Sequence, residues 1–192
     1  NFNNIAISQD GRFILPKKPA TILKAILAKE DGDTNIRYGA RSACITTDSY
    51  QLNCRLVEGR YPNYASVIPQ DNPNCAVINR AAMQSALRRV LIFSNATSAL
   101  IKLRLEMGKV VISSQDIDFS KSAEEALLCD YTGFPMSIGF KGTFLMEILN
   151  NMESEEIIIK LADGSRAGVI VPLQQNENEN SLMLLMPMML ND

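Results

Sequence analysis

The chain is 192 residues long, 46% of them hydrophobic, and carries a formal net charge of −2 without a single histidine. This length suits one large domain, or one small domain and part of another. The charge is not that of a strongly basic nucleic-acid-binding protein, and the lack of histidine removes the commonest general base and zinc ligand. No apolar run approaches the roughly 18 residues of a membrane helix.

Three segments place apolar residues at the spacing of a helix that buries one face. The predicted helices cover residues 16–28, 79–93 and 141–152. Pro19 suits the first turn of the first helix, and Asn79 is a favourable N-cap for the second. Their apolar stripes are Ile22, Leu23, Ile26 and Leu27, then Met83, Ala86, Leu87 and Val90, then Leu145, Ile148 and Leu149.

Short strands and tight turns fill most of the remaining sequence. Alternating apolar and polar residues predict strands at 100–105, 110–113, 125–132, 135–140, 156–162, 166–173 and 181–189. Met107-Gly108 and Asp163-Gly164 are typical of hairpin turns. Residues 116–122 and 174–180 are polar and are predicted to be loops.

The order of these elements repeats along the chain. Residues 13–61 and 136–189 both give a strand, a helix and three strands, and a third helix followed by strands lies between them. The predicted fold class is α+β, with two helices packed on antiparallel sheets in each domain. A lone helix-and-sheet unit cannot cover itself, so residues 1–75 are expected to be the second half of a domain whose first half lies upstream.

Basic residues are segregated along the sequence. Residues 11–29 and 72–105 each contain five basic side chains and no acid. Lys17 and Lys24 share one helix face, and Arg80, Gln84 and Arg88 form a stripe opposite the apolar side of the second helix. The pattern fits an ordinary solvated helix surface, and it also fits a surface that faces phosphate groups.

Three short motifs carry more specific information. They are Leu-Val-Glu-Gly-Arg-Tyr-Pro-Asn-Tyr at 56–64 with Val-Ile-Pro at 67–69, Asp-Gly-Ser-Arg-Ala at 163–167, and Leu-Leu-Met-Pro-Met-Met-Leu at 184–190. In this order and spacing they resemble the sliding clamps of bacterial DNA polymerases, the beta subunit of DNA polymerase III. The resemblance covers essentially the whole chain.

The resemblance implies the DNA-clamp fold, in which each subunit has three similar domains and two subunits close head to tail into a ring. Residues 1–75 then form the C-terminal half of the middle domain, and residues 76–192 form the complete C-terminal domain. The implied function is that of a cytoplasmic, nucleoid-associated processivity factor. It encircles double-stranded DNA, needs no cofactor and catalyses no reaction.

Three sites follow from the resemblance. A groove binds short linear motifs of the replicative polymerase, the clamp loader and repair proteins, and its matching positions are Pro62, Val67, Ser165, Ala167, Leu184, Leu185, Met186, Pro187 and Met188. The residues expected to face DNA are Lys17, Lys18, Lys24, Arg80, Arg88 and Arg89. The expected ring interface is Ile92, Phe93, Ser94 and Asn95, although the first two residues fit a core position equally well.

Some features depart from the family or favour other functions. Ala65-Ser66 and Met189 stand where related clamps often carry arginine, which removes charge near the rim of the groove.

Paired carboxylates at Asp116 and Asp118, or at Glu155 and Glu156, are the candidates for metal chemistry, but no third ligand lies nearby in sequence. The alternative to a clamp is a peptide-binding scaffold without a DNA role.

Two further expectations concern association and redox state. A full-length subunit is expected to form a homodimer, whereas this chain, which lacks a first domain, is expected to be a monomer. The four cysteines lack a C-x-x-C pair and are expected to be reduced thiols.

Overall fold

The structure is a computed structural model that describes residues 11–190. Within this range the chain divides into two compact units, an N-terminal unit of residues 11–63 and a C-terminal unit of residues 64–190. Helices and antiparallel sheets occur together, which confirms the predicted α+β class. None of the helices in the described range is long and apolar enough to cross a membrane.

The N-terminal unit consists of one helix and one small sheet. Helix α1 (Lys17–Leu27) is followed by β1 (Asn35–Tyr38), β2 (Ser42–Thr46) and β3 (Gln51–Arg55), which form an antiparallel sheet in the order β1-β2-β3. Ile14 and Val57 add an isolated antiparallel bridge. The core of the N-terminal unit is formed by buried Ala43, Ile45 and Leu56, with Leu15, Leu23, Leu52 and Cys54 partly buried against them.

The apolar stripe of α1 is only partly used. Leu23 packs against the small core, but Ile22 and Leu27 are each 40% exposed, and the helix has no fully buried residue. A single three-stranded sheet offers too little apolar surface to cover the full width of the α1 stripe, so its outer residues stay exposed.

The C-terminal unit contains two helices and two four-stranded antiparallel sheets. After a short 3₁₀ helix at Tyr64–Val67, its elements are β4 (Asn74–Asn79), α2 (Arg80–Leu91), β5 (Leu100–Glu106), β6 (Lys109–Asp116), β7 (Lys121–Leu128), β8 (Met136–Lys141), α3 (Gly142–Asn150), β9 (Glu156–Leu161), β10 (Gly168–Pro172) and β11 (Met183–Leu185). The sheet orders are β11-β10-β9-β4 and β7-β6-β5-β8. The predicted order of strand, helix and three strands is observed from β8 to β11.

Helix α2 begins where the sequence predicts. The Asn79 side-chain oxygen accepts a hydrogen bond of 2.9 Å from the Ala82 N–H, which satisfies one of the free donors of the first turn. Its apolar stripe is fully buried, as are Leu145 and Leu149 on α3. Each such leucine stabilises the fold by roughly 1.5–3 kcal/mol relative to an exposed one.

The predicted loop at residues 116–122 and the predicted last strand at residues 181–189 are both wrong. Residues 116–122 are not a continuous loop, because β6 extends to Asp116 and β7 starts at Lys121. Ser114 and Asp116 continue the buried face of β6 despite their polarity. The last strand spans only Met183–Leu185, since Pro187 lacks an N–H for a sheet hydrogen bond.

All four cysteines are free thiols, as predicted. Cys129 is buried, and this burial raises the pKa of its thiol.

Candidate partner-binding and DNA-binding surfaces

The turn at residues 163–167 is held by one carboxylate. Asp163 Oδ1 accepts hydrogen bonds from the Ser165 N–H at 2.8 Å, the Ser165 hydroxyl at 2.6 Å and the Arg166 N–H at 3.0 Å. Its Oδ2 accepts a bond of 2.8 Å from Arg166 Nε. The Ser165 hydroxyl and the Arg166 guanidinium hold the pKa of Asp163 well below its usual range. The turn therefore has a defined shape at neutral pH.

The C-terminal segment crosses between the two sheets of the C-terminal unit. In β11, Leu184 and Leu185 pair with Val169 and Gly168 of β10. Beyond Pro187, the Met188 N–H donates a bond of 2.8 Å to the Gly139 carbonyl of β8, in the other sheet. The segment is therefore fixed at both ends, with Met186 between them.

Side chains of this segment alternate between the core and the surface. Leu185 is buried in the core, whereas Met186 is 64% exposed. Leu184, Pro187 and Met188 are half-buried. Because strand side chains alternate between faces, Leu184 and Met186 lie on the face opposite Leu185. Leu185 thus supports the segment and cannot offer its own side chain to a partner.

The structure brings together most of the predicted groove positions. Ser165 and Ala167 precede β10 directly, and β10 is the strand that pairs with β11. Ser165 is exposed and Ala167 is buried. Val67 ends the 3₁₀ helix with an exposed side chain, and Pro62 belongs to the N-terminal unit.

Arg80 departs from the predicted basic surface. Its Nε donates a bond of 2.7 Å to the Ser154 carbonyl, and a terminal nitrogen donates one of 3.2 Å to the Leu149 carbonyl. Both acceptors lie near the C-terminal end of α3, where carbonyl groups lack helical partners and a cation is favourable. The half-buried Arg80 therefore joins α2 to α3 through two of its guanidinium nitrogens.

Arg89 is also engaged within the protein. Its Nε donates a bond of 3.0 Å to Glu125 Oε2, and a second nitrogen contacts Glu125 Oε1. This pairing raises the pKa of Arg89 and lowers the pKa of Glu125. Arg88 is exposed and has no charged partner among residues 11–190. Of the predicted positions on α2, Arg88 is the one that is exposed and has no hydrogen-bond or ion-pair partner for its guanidinium in the described range.

The three lysines of α1 have a different environment. Lys17, Lys18 and Lys24 are all exposed, and no ion pair involves them in the described part of the chain. Lys17 and Lys24 lie on the same side of the helix, as their spacing predicts.

The end of α2 is apolar and exposed. Ile92 is 70% exposed and Phe93 is also accessible, so the core interpretation of these two residues is wrong. Ser94 donates to the Leu91 carbonyl at 2.8 Å. The Asn95 side-chain oxygen accepts from the backbone N–H groups of residues 97 and 98, which shapes the chain after the helix.

Sequence reasoning missed two residues beside this surface. Ile117 and Phe119 are both largely exposed in the turn between β6 and β7. The Asn95 amide contacts Asp118 Oδ2 at 3.5 Å, which brings this turn next to the end of α2. Two large apolar residues within an otherwise polar stretch were the available signal.

The paired carboxylates do not form a metal centre in the described range. No group of three or more acidic, cysteine or histidine residues is placed there to hold an ion. Asp116 is buried with Oδ1 unpaired, whereas the neighbouring Asp118 contacts Asn95. Glu155 and Glu156 are exposed.

Comparison with known proteins identifies the family. The family described as DNA polymerase III beta subunit, C-terminal domain, matches residues 65–189. The chain belongs to this family. The beta sliding clamp of Pseudomonas putida is 30% identical over 186 residues, which are 96% of this chain and 50% of that protein. The beta sliding clamp of Pseudomonas aeruginosa is 28% identical over 184 residues, 95% of this chain and 49% of that protein.

Solved clamp structures show the same fold. A DNA polymerase sliding clamp from Pseudomonas aeruginosa with ligand has a TM-score of 0.88 at 28% identity and covers 96% of this chain and 50% of its own. A sliding clamp from Bartonella birtlesii bound to griselimycin has a TM-score of 0.84 at 30% identity and covers 93% and 47%. The predicted clamp fold is thus confirmed, and the chain spans about half the length of these relatives.

Proposed function

We propose that this chain is part of a DNA sliding clamp subunit. As such it acts in the cytoplasm as a non-catalytic processivity factor that tethers replication proteins to double-stranded DNA. One observation carries the proposal. Leu184 and Met186 are displayed along the edge strand β11 and the residue that follows it, beside the ordered turn at residues 163–167. Membership of the clamp family supports the same function.

The groove is proposed to bind short linear motifs of the replicative polymerase, the clamp loader and repair proteins. Their apolar side chains would cover Leu184, Met186 and Met188, gaining about 25 cal/mol for each Å² removed from water. Methionine suits this task because its unbranched side chain adapts to different partners. The buried Leu185 and Ala167 support these residues from the core side, and Ser165 offers a polar group at the rim.

DNA is proposed to meet the exposed basic side chains without reading its sequence. Lys17, Lys18 and Lys24 on α1, and Arg88 on α2, are the residues available for phosphate contacts. Such contacts depend on charge and salt, and they do not distinguish bases.

A second candidate is a peptide-binding scaffold without a DNA role. The pairing of Arg89 with Glu125 favours it, because the carboxylate neutralises one basic side chain of α2. Salt-dependent binding of an arbitrary duplex would exclude this candidate. Binding of a groove ligand in the absence of any duplex binding would support it.

Ring formation is proposed to use the exposed end of α2, with Ile92 and Phe93 covered by another subunit and Ser94 and Asn95 beside them. Two full-length subunits would then close a homodimeric ring. For the 192-residue chain we expect a monomer, and light scattering at moderate protein concentration measures this directly. A dimeric mass would contradict the expectation.

The groove is tested with griselimycin, which is bound to two of the related clamps. Isothermal titration calorimetry should show binding to the chain, and Met186→Ala and Leu184→Ala should each weaken it about tenfold or more. Met107→Ala is the matched control, since Met107 is similarly exposed but lies at the turn between β5 and β6. Circular dichroism checks that each variant is folded. Binding that is indifferent to Leu184 and Met186 would contradict the groove assignment.

A further inference from the structure

Strand β8 has one edge that the sheet does not use. It is the last strand of the order β7-β6-β5-β8, so only its β5 side is paired along its length. On the other side, the Gly139 carbonyl accepts the bond of 2.8 Å from the Met188 N–H. This contact anchors the C-terminal segment after it has left β10.

The approach at Gly139 leaves no room for a side chain. A Cβ atom at this position would lie 2.6 Å from the Met188 carbonyl oxygen and 2.8 Å from Leu190 Cδ2. The first of these is a backbone atom, so the C-terminal segment would have to move away as a whole. Glycine is therefore required at 139 by close backbone approach.

A second glycine, Gly164, approaches β8 just as closely, at Ser137, which lies two residues before Gly139 on that strand. A Cβ atom at Gly164 would lie 2.6 Å from the Ser137 carbonyl oxygen. Gly164 belongs to the turn that Asp163 holds in shape. The turn and the C-terminal segment thus approach β8 at positions that strand geometry places roughly 7 Å apart.

We infer that the edge of β8 from Ser137 to Gly139 is the base of the partner groove, and that Gly139 is a positioning residue. The base fixes the spacing between the 163–167 turn and Met186, although neither Ser137 nor Gly139 lies among the groove positions themselves. This inference rests on the proposed peptide-binding function. Pro187 strengthens it, because a residue without an N–H leaves Met188 as the next donor that can anchor the segment.

The first test is Gly139→Ala, with Gly39→Ala as its control. A Cβ atom at Gly39 would meet nothing within 4 Å, so the control adds the same methyl group without a clash. We expect Gly139→Ala to speed hydrogen exchange of the Met188 amide about tenfold or more, while amides of α2 keep their rates. Griselimycin affinity measured by calorimetry should fall by a similar factor. The control should change neither quantity.

A second pair of variants covers the case in which Gly139→Ala does not fold. Met188→Pro removes the anchoring N–H and turns its ring Cδ toward the Gly139 carbonyl oxygen, so both effects break the anchor at β8. Met188→Ala shortens the same side chain but keeps the N–H. We expect Met188→Pro to speed exchange of the Met189 amide and to weaken griselimycin binding more than Met188→Ala does. Equal behaviour of the two would overturn the inference.

The outcomes separate the inference from the proposed function. If the unmodified chain binds griselimycin and Gly139→Ala binds it equally well with unchanged exchange at Met188, the positioning role is wrong and the groove stands. If the unmodified chain does not bind griselimycin, the proposed groove fails for this chain, and exchange at Met188 alone decides whether β8 holds the segment.

Discussion

Helices α1 and α2 have similar patterns and very different surroundings. In α1 the apolar residues Ile22 and Leu27 remain 40% exposed, whereas in α2 Met83 and Leu87 are fully buried. The difference lies in the layers: α2 packs against α3 and three strands, while α1 contacts one small sheet. An amphipathic pattern indicates what a helix is able to bury, and the surrounding layers decide what it does bury.

The same contrast holds for the basic side chains. Lys17 and Lys24 on α1 are exposed and unpaired among the described residues, whereas Arg80 and Arg89 on α2 are bonded within the protein. A well-packed unit brings distant acceptors to its cations. Helix α1 leaves these lysines to solvent and to ligands.

The largest expected effect sharpens the contrast in burial. Leu87→Ala should lower the free energy of unfolding of the C-terminal unit by about 3 kcal/mol, because it leaves a cavity in a closed core. Leu27→Ala, on the exposed stripe of α1, should cost less than about 1 kcal/mol. Urea denaturation followed by amide signals of each unit measures both. Equal losses would show that the two stripes are equally buried.

A smaller effect separates the arginine that joins two helices from a solvent-exposed lysine. Arg80→Ala should lower the free energy of unfolding by about 1–2 kcal/mol, since the carbonyls of Leu149 and Ser154 lose their donor. Lys24→Ala should change it by less than about 0.5 kcal/mol. Thermal denaturation of both variants provides the measurement. An Arg80→Ala variant with unchanged free energy of unfolding would contradict this, because it would mean that water satisfies the two carbonyls equally well.

The salt dependence of DNA binding also distinguishes the unpaired basic side chains from Arg89, which is paired with a carboxylate. Lys24→Ala and Arg88→Ala should each lower the slope of log affinity against log salt by about 1, because each removes one available phosphate contact. Arg89→Ala should change it less, since Glu125 already neutralises that charge. Fluorescence anisotropy with a labelled duplex at several salt concentrations measures the slopes. An Arg89 effect as large as that of Arg88 would contradict the assignment.

The smallest effect concerns the turns of the two units. The β9–β10 turn is held by the Asp163 carboxylate, while the β1–β2 turn is closed by the Gly39 N–H on the Ser42 carbonyl. Because folding lowers the pKa of Asp163, its contribution is present above the ordinary aspartate value near 3.9 and is lost only as pH falls through the lower folded value. Amide signals of residues 163–167 should therefore stay unchanged down to about pH 4, as an NMR titration can check. A transition at or above pH 4 would contradict this.

Features encoded by neighbouring residues were accessible from sequence. The Asn79 cap and the buried stripe of α2 depend on spacing within one helix, and the exposure of Met186 follows from alternation along one strand. The fold class was accessible from the order of helices and strands, whereas the groove positions came only from the resemblance of three motifs to the clamp family.

Features that depend on distant partners were not accessible. Arg80 bonds to carbonyls that lie about seventy residues later in the chain, and nothing near it in sequence indicates them. Asp116 looked like a loop residue because its polarity hid its place on the buried face of β6. Gly139 gave no signal at all, since its need for a bare backbone arises only when Met188 crosses from the other sheet.

Hydrogen–deuterium exchange of the chain with and without griselimycin tests the central claim most directly, because it maps the ligand onto the chain. The account predicts slower exchange at residues 163–167 and 183–190 and no change at the turn between β5 and β6. Protection confined to other segments, or no protection at saturating ligand, would contradict the assignment of the partner groove to the turn at 163–167 and the segment that contains the edge strand β11.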